Sequence, residues 1–233
     1  MNTILQTLFS PARAFEELKR EAKFPTMTLI VLLLLVAVNL ILMIPVTEKI
    51  TAITMSSMSL PEAQMDTALQ VVHKMRYLQA IGGVFMTAVA LFLYALLMYI
   101  LTAVAKPVLA YIKSFTIVIY SYLAVVIGDL INTALLYFKG LDELKNPFEI
   151  VLTGANLFTS VDKVGATFYT FLGLINPFQL WFVILLSIGL KIFTDMKYAK
   201  ALIICIIFWL ITVIFPVLSV FFSETMMKNV GIL

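Results

Sequence analysis

Long apolar runs without charge alternate with charged segments along this 233-residue chain. A helix needs about 20 apolar residues to cross the hydrocarbon core of a bilayer. The runs that meet this length, or nearly so, are 25–44, 81–104, 115–138, 177–193 and 201–222. The pattern therefore predicts an all-α polytopic membrane protein, a bundle of five transmembrane helices with amphipathic surface helices.

The fourth and fifth runs form a helical hairpin around a short basic turn. Asn176-Pro177 predicts the start of the fourth helix, because proline suits the first helical turn. The lysines that close this helix are Lys191, Lys197 and Lys200. Apolar sequence resumes at Leu202, so the turn is tight and its charges lie on one face of the membrane.

The N-terminal segment, residues 1–23, is too polar to span. Ser10-Pro11 predicts a helix start with serine as the cap. Phe15 and Leu18 fall on one face of this helix, and charged residues occupy the rest. An amphipathic helix at the membrane interface is predicted, with a solvated leader as the alternative. The residues expected to contact the membrane surface or a partner are Arg13, Phe15, Leu18, Lys19 and Arg20.

The polar stretch at 47–80 is predicted to be a long loop with a helix in its second half. Ser59 and Glu62 fit a capping box, in which each side chain bonds a backbone N–H group of the other residue. Gly82 and Gly83 are expected to break or bend this helix before the second span.

A second long loop is predicted at 139–173, with apolar pieces too short to span that lie on the membrane surface or cap the bundle. Pro216 is expected to bend the fifth helix. The membrane domain is thus assigned to 24–223, and 224–233 is a short C-terminal tail.

Composition supports the membrane class and excludes a nucleic-acid partner. The chain is 62% hydrophobic and 12% charged, about half the charged fraction of a soluble domain. Its net charge of +3 is not gathered into a basic run, so no nucleic-acid partner is expected. The single cysteine, Cys205, lies in an apolar run and has no second cysteine with which to form a disulfide.

The distribution of lysine and arginine predicts the orientation, because short cytoplasmic segments are enriched in both. The dense group, in the N-terminal segment and two short connections, is Arg13, Lys19, Arg20, Lys23, Lys106, Lys113, Lys191, Lys197 and Lys200. The dilute group, in two long loops and the tail, is Lys49, Lys74, Arg76, Lys139, Lys145, Lys163 and Lys228. The N-terminus is therefore predicted in the cytoplasm and the C-terminus outside.

Motifs in the hairpin and elsewhere resemble the Yip family, the Ypt/Rab-interacting membrane proteins, and in particular its bacterial members. The matching residues are Phe178, Trp181, Ile188-Gly189-Leu190, Lys200-Ala201, Pro11, Phe15, Lys23-Phe24-Pro25 and the aromatic third span TIVIYSYLAVVIGDLI. The resemblance implies five spans, a cytoplasmic N-terminus and no known catalytic activity. The expected location is the bacterial inner membrane. Two features depart from the pattern: Asn176 stands where bacterial members often have aspartate, and the acidic-Tyr-Gly-Pro motif of eukaryotic members is absent, which weakens any expectation of Rab binding.

The sequence gives little support for an enzymatic activity or for a metal site. The sequence has neither a His-Glu-x-x-His motif nor a Gly-x-Ser-x-Gly motif. His73 shares a helical stripe with Glu62 and Asp66, but Glu62 and His73 would be about 16 Å apart along a helix. One metal ion cannot bridge that distance. No catalytic residue, metal or cofactor is therefore predicted.

Asp129 is the sharpest polar feature, since an ionisable group inside a span is costly and by default suggests a site. Asn39 in the first span is predicted at nearly the same depth, close enough to donate a hydrogen bond to the carboxyl group. Asn132 is one turn from Asp129. Together they form a predicted membrane-embedded polar cluster, which either packs helices or lines an ion or proton path.

The function predicted from these features is a non-enzymatic integral membrane scaffold or adaptor of the Yip type. It would bind protein partners or lipids, with the bilayer and a membrane-protein partner or second copy as its contacts. The alternative is a small transporter or channel subunit that uses Asp129.

Overall fold

The computed structural model describes residues 2–21, 24–57, 62–105, 109–144 and 146–229, and within these ranges every regular element is a helix. The helices that are long and apolar enough to cross a membrane are Leu69–Ala105, Tyr111–Lys139, Pro177–Thr194 and Tyr198–Met226. The pair Thr26–Leu42 and Ile44–Ser56, bent by 45° at its break, would supply a fifth span. The prediction of an all-α polytopic membrane bundle is confirmed.

The described residues up to Ser57 form four helices. These are α1 (Asn2–Phe9), α2 (Pro11–Glu21), α3 (Thr26–Leu42) and α4 (Ile44–Ser57). Helix α2 begins at Pro11, as predicted. The stretch predicted as a loop from residue 47 is instead helical up to Ser57. Pro45 lacks a backbone N–H, but Thr47 N donates to Met43 O at 2.9 Å and the helix continues.

One long helix, α5 (Glu62–Ala105), replaces the predicted helix, break and second span. It passes through Gly82 and Gly83 without the predicted break. At Gly83 an added Cβ atom would lie 2.8 Å from Leu40 Cδ1, so this glycine serves close packing against α3. The predicted capping residues Ser59 to Pro61 lie outside the described residues.

The remaining helices follow in two groups. The long helix α6 (Tyr111–Lys139) leads into short elements: 3₁₀ helices at Leu141–Glu143 and Ala155–Phe158, then α7 (Val161–Val164) and α8 (Ala166–Leu174). The hairpin comprises α9 (Pro177–Thr194) and α10 (Tyr198–Asn229). The predicted start of the fourth span at Pro177 is confirmed. Helix α10 contains Pro216 within it and extends through the first part of the predicted tail, to Asn229.

The chain divides into two compact units. The first comprises Met1–Val36, Phe85–Gly128 and Pro177–Val213. The rings that contact one another in its interior, edge-on or tilted with centroids 5.9 to 6.2 Å apart, are those of Tyr94, Tyr122, Phe182 and Phe208. Gly128 leaves room for Phe178, since a Cβ atom at Gly128 would lie 2.5 Å from Phe178 Cγ. Large aromatic side chains and glycine together give this unit its packing.

The second unit comprises Ala37–Val84, Asp129–Asn176 and Ile214–Leu233. Its buried apolar cluster contains Val46, Leu136 and Leu144. Gly154 touches the backbone of Gly173, so closely that an added Cβ atom would lie 2.5 Å from Gly173 O. Of the apolar pieces of the 139–173 segment, Ile150 and Leu152 pack against this cluster, whereas Leu157 and Phe158 are 54% and 93% exposed.

Candidate functional site

Helix α2 packs on helix α9 through Phe15. The Phe15 side chain is 0% exposed. Its ring meets the ring of Phe193 edge-on, with centroids 6.5 Å apart. Gly189 leaves room for Phe15, because an added Cβ atom would lie 3.1 Å from Phe15 Cε1. The apolar face of α2 thus rests on protein.

This placement differs from the predicted membrane-surface contact for Phe15. The amphipathic pattern was read correctly, but its apolar face is covered by α9 of the same chain, because Gly189 leaves a recess there. Leu18 is half-buried. Arg13 and Arg20 are exposed, and Lys19 is partly covered. The polar residues of the predicted contact surface remain accessible, whereas its main apolar anchor is internal.

Lys19 makes a second contact between these two helices, at the C-terminal end of α9. Its Nζ donates to Ile192 O at 2.6 Å and to both carboxylate oxygens of Asp195, at 2.9 and 3.0 Å. The last carbonyl groups of a helix lack partners within the helix, and a cation there is favourable. Asp195 follows α9 in the left-handed conformation, with φ 56°. The ion pair is well exposed and adds little stability, so its main effect is to position the two groups.

A second lysine caps another helix end in the same unit. Lys200, at the start of α10, donates from Nζ to Ala105 O, the last residue of α5, at 2.6 Å. Lys191 and Lys197 of the predicted basic turn are exposed. The turn therefore contains two kinds of lysine: one that is engaged with a helix end and two whose charge faces outward.

A cleft of about 710 Å³ lies between α2 and the end of α9. Charged and apolar side chains line it together: Ala12, Glu16, Lys19, Arg20, Ile188, Lys191, Ile192, Asp195, Met196 and Tyr198. Lys19 and Arg20 were predicted contact residues. The cleft itself was not predicted, because it is formed by helices that are far apart in sequence.

The predicted polar cluster is arranged differently from the prediction. Asn39 Oδ1 accepts a hydrogen bond from Thr133 Oγ1 at 2.7 Å. Thr133 is one turn beyond Asp129 on α6 and is buried, and its hydroxyl takes the place that the sequence assigned to the carboxyl group of Asp129. The sequence thus placed α3 beside α6 correctly, but the residue that bonds Asn39 lies one turn from the predicted Asp129.

Asn132 anchors a separate piece of backbone. Its Nδ2 donates to Ile150 O at 2.8 Å, and its Oδ1 accepts from Leu152 N at 2.6 Å. The side chain amide therefore satisfies both polar groups of an extended segment next to α6. This is a structural task, and it leaves Asp129 as the member of the predicted cluster with an exposed side chain.

Two further polar contacts were missed by the sequence interpretation. His73 Nδ1 lies 3.1 Å from Glu48 Oε1, and Arg76 contacts both groups, which joins α4 to α5. Glu224, within the predicted tail, accepts hydrogen bonds from the backbone N and the hydroxyl of Thr167 at 3.1 and 2.8 Å. A carboxylate at this place, the first turn of α8, is favourable.

Metal binding has no support among the described side chains, which contain no group of three or more metal-binding residues. The expectation that His73, Glu62 and Asp66 form no metal site stays a prediction, because the side chains of Glu62 and Asp66 lie outside the described residues.

Comparison with known proteins agrees with the resemblance noted in the hairpin. Searches of curated proteins and of solved structures found no significant match. The family model of the Yip1 domain matches residues 5–220, which includes α2, the cleft and nearly all of the hairpin. The chain therefore belongs to the Yip1-domain family of membrane proteins.

Proposed function

We propose that this protein is a non-enzymatic integral membrane scaffold or adaptor, which binds protein partners or lipids through the surface formed by α2 and the end of α9. The docking of Phe15 against Gly189 and Phe193 supports the proposal. It holds α2 in a fixed position and turns the charged residues of that helix outward. A surface fixed in this way suits recognition of another molecule.

The proposed setting is the bacterial inner membrane, with the N-terminus in the cytoplasm and the C-terminus outside. The density of lysine and arginine near the N-terminus and in the turn between α9 and α10 supports this orientation. In this orientation α2 and the cleft face the cytoplasm, where a protein partner or a second copy of the chain would meet them.

Site-specific photo-cross-linking tests the scaffold proposal. A photoreactive residue at Glu17, an exposed position of α2, should give discrete adducts in intact cells, and their masses distinguish a second copy from another protein. The matched control is the same residue at Phe85, an exposed position of the apolar helix α5, which should give lipid adducts only. Absence of protein adducts at Glu17, at a normal level of expression, would contradict the binding of a protein partner or a second copy at this surface.

A transporter or channel subunit is the second candidate, because the Asp129 side chain is exposed although its helix is long and apolar enough to span. Asp129→Asn distinguishes the two functions, since asparagine keeps the size of aspartate and, like the protonated acid, both donates and accepts hydrogen bonds, but cannot ionise. A scaffold should retain its growth phenotype and its Glu17 adducts in this variant. A stably folded Asp129→Asn protein with a null phenotype would favour proton-coupled transport over the scaffold.

A further inference from the structure

We infer that the cleft between α2 and the end of α9 binds one anionic phospholipid, with its phosphate between Arg20 and Lys191. This inference rests on the proposed function and makes its lipid-binding part specific. The observations that carry it are the two cations of the cleft that have no partner among the described residues, the apolar lining on α9 and the position of the cleft at the end of a spanning helix.

Two of the three cations in the cleft are available to a ligand. Lys19 is engaged by Asp195 and by the carbonyl oxygen of Ile192. Among the described residues, neither Arg20 nor Lys191 has an ion-pair or hydrogen-bond partner, and both are exposed. Arg20 lies on α2 and Lys191 on the last turn of α9, so a phosphate that reaches into the cleft meets positive charge from both walls.

The apolar part of the lining gives the cleft the character of a lipid site. Ile188 and Ile192 are one turn apart on the same face of α9, and Ala12 and Met196 add further apolar surface. Ile188 lies deeper in the spanning helix than Lys191. A ligand that is anionic at one end and aliphatic at the other would satisfy both parts of the lining.

The size and position of the cleft agree with this ligand. Its volume of about 710 Å³ lies within the range of roughly 300–1,000 Å³ that is typical of small-molecule sites, enough for a headgroup and the first part of an acyl chain. Basic pockets between membrane helices at the cytoplasmic side are recognised sites for anionic headgroups. Glu16 adds a carboxylate to the lining, which favours a headgroup that carries hydroxyl donors, such as that of phosphatidylglycerol.

Lipid titration of the full chain, followed by native mass spectrometry from detergent, tests the inference. Wild-type protein should bind one phosphatidylglycerol more tightly than phosphatidylcholine with the same acyl chains. Arg20→Gln and Lys191→Gln should each weaken phosphatidylglycerol binding about fivefold and leave phosphatidylcholine binding unchanged. Both positions are exposed, and thermal melting of each variant verifies that it is folded.

Lys197→Gln is the matched control. It removes one exposed positive charge that lies between the lining residues Met196 and Tyr198 in sequence but outside the lining, and it should leave phosphatidylglycerol affinity unchanged. An equal loss in this control would mean general surface attraction and would overturn the site. Equal affinity for the two lipids, or displacement of the lipid by an equal concentration of soluble glycerol 3-phosphate, would overturn it too. Protein adducts at Glu17 are scored independently, so failure of the lipid site is distinguishable from failure of the scaffold function.

Discussion

Phe15→Ala should release helix α2 from helix α9 without unfolding the protein. Phe15 is fully buried, and its ring occupies the recess above Gly189 beside Phe193. The substitution removes the ring but leaves the Lys19–Asp195 contact in place. Phe9→Ala is the matched control, since it removes the same side chain from α1, where the ring is 82% exposed.

The expected size of the effect depends on where α2 goes when it leaves α9. If the released helix enters water, loss of Phe15 should favour release by about 3–5 kcal/mol, the usual cost of Phe→Ala in a core, which is more than 100-fold. If the released helix lies on the lipid surface, its apolar face stays out of water and only ring packing is lost. That is about 0.5–1.5 kcal/mol, or about 2- to 13-fold.

Thiol labelling measures this release. Ala14→Cys places a thiol at a position of α2 that is 0% exposed, so a soluble maleimide reaches it only when the packing of α2 opens. Native Cys205 is buried and labels slowly in all variants. In this background the labelling rate should rise for Phe15→Ala and not for Phe9→Ala. Equal rates for the two variants would refute the packing of α2 on α9, and a rise between 2- and 13-fold would locate the released helix on lipid.

Three further outcomes are expected. Gly128→Ala should destabilise the bundle by about 1–3 kcal/mol, because the added Cβ atom would overlap the neighbouring aromatic ring of α9. Gly82→Ala has nothing within 4 Å of the added atom and should be neutral or stabilise the protein by up to about 1 kcal/mol. Melting temperatures in detergent compare the two variants, and equal shifts would contradict the close packing at Gly128. Asn132→Leu should cost about 1–3 kcal/mol by leaving two backbone groups unpaired, and hydrogen exchange in that segment should accelerate. A reporter that works only in the cytoplasm should be active before the first residue or within residues 194–199 and silent after the last residue, and activity at both ends would contradict an odd number of spans.

Features set by local chemistry could be predicted from the sequence. Proline at a first helical turn marked the starts of α2 and α9, and both begin where predicted. Apolar runs identified the spanning helices because burial in lipid requires nothing beyond length and composition. The amphipathic face of α2 was also evident, since helical periodicity alone places Phe15 and Leu18 together.

Features set by contacts between distant residues could not be predicted. The stretch after Pro45 was interpreted as a loop because of its polar composition, yet Val46 is fully buried with Leu136 and Leu144, and such packing stabilises a helix that propensity alone does not specify. Asn39 was predicted to bond Asp129, which is one turn away from its observed partner. The depth of a residue along a helix was known from the sequence, but the direction in which its side chain points around the helix axis was not. The recess that holds Phe15 could not be predicted either, because the sequence does not say which helix faces α2.

The contact between Lys19 and the carbonyl oxygen of Ile192 joins residues 173 positions apart, and this separation has a consequence for biosynthesis. At about 5–20 residues per second, a ribosome needs roughly 10–35 s to make the chain between them. During that interval the nascent chain has α2 but not α9, so Phe15 has no recess to enter. An amphipathic helix in this situation rests on the membrane surface. The sequence predicted that α2 lies on the membrane surface in the mature protein. We expect this state instead to be a stage of cotranslational assembly, which ends when the hairpin of α9 and α10 is inserted.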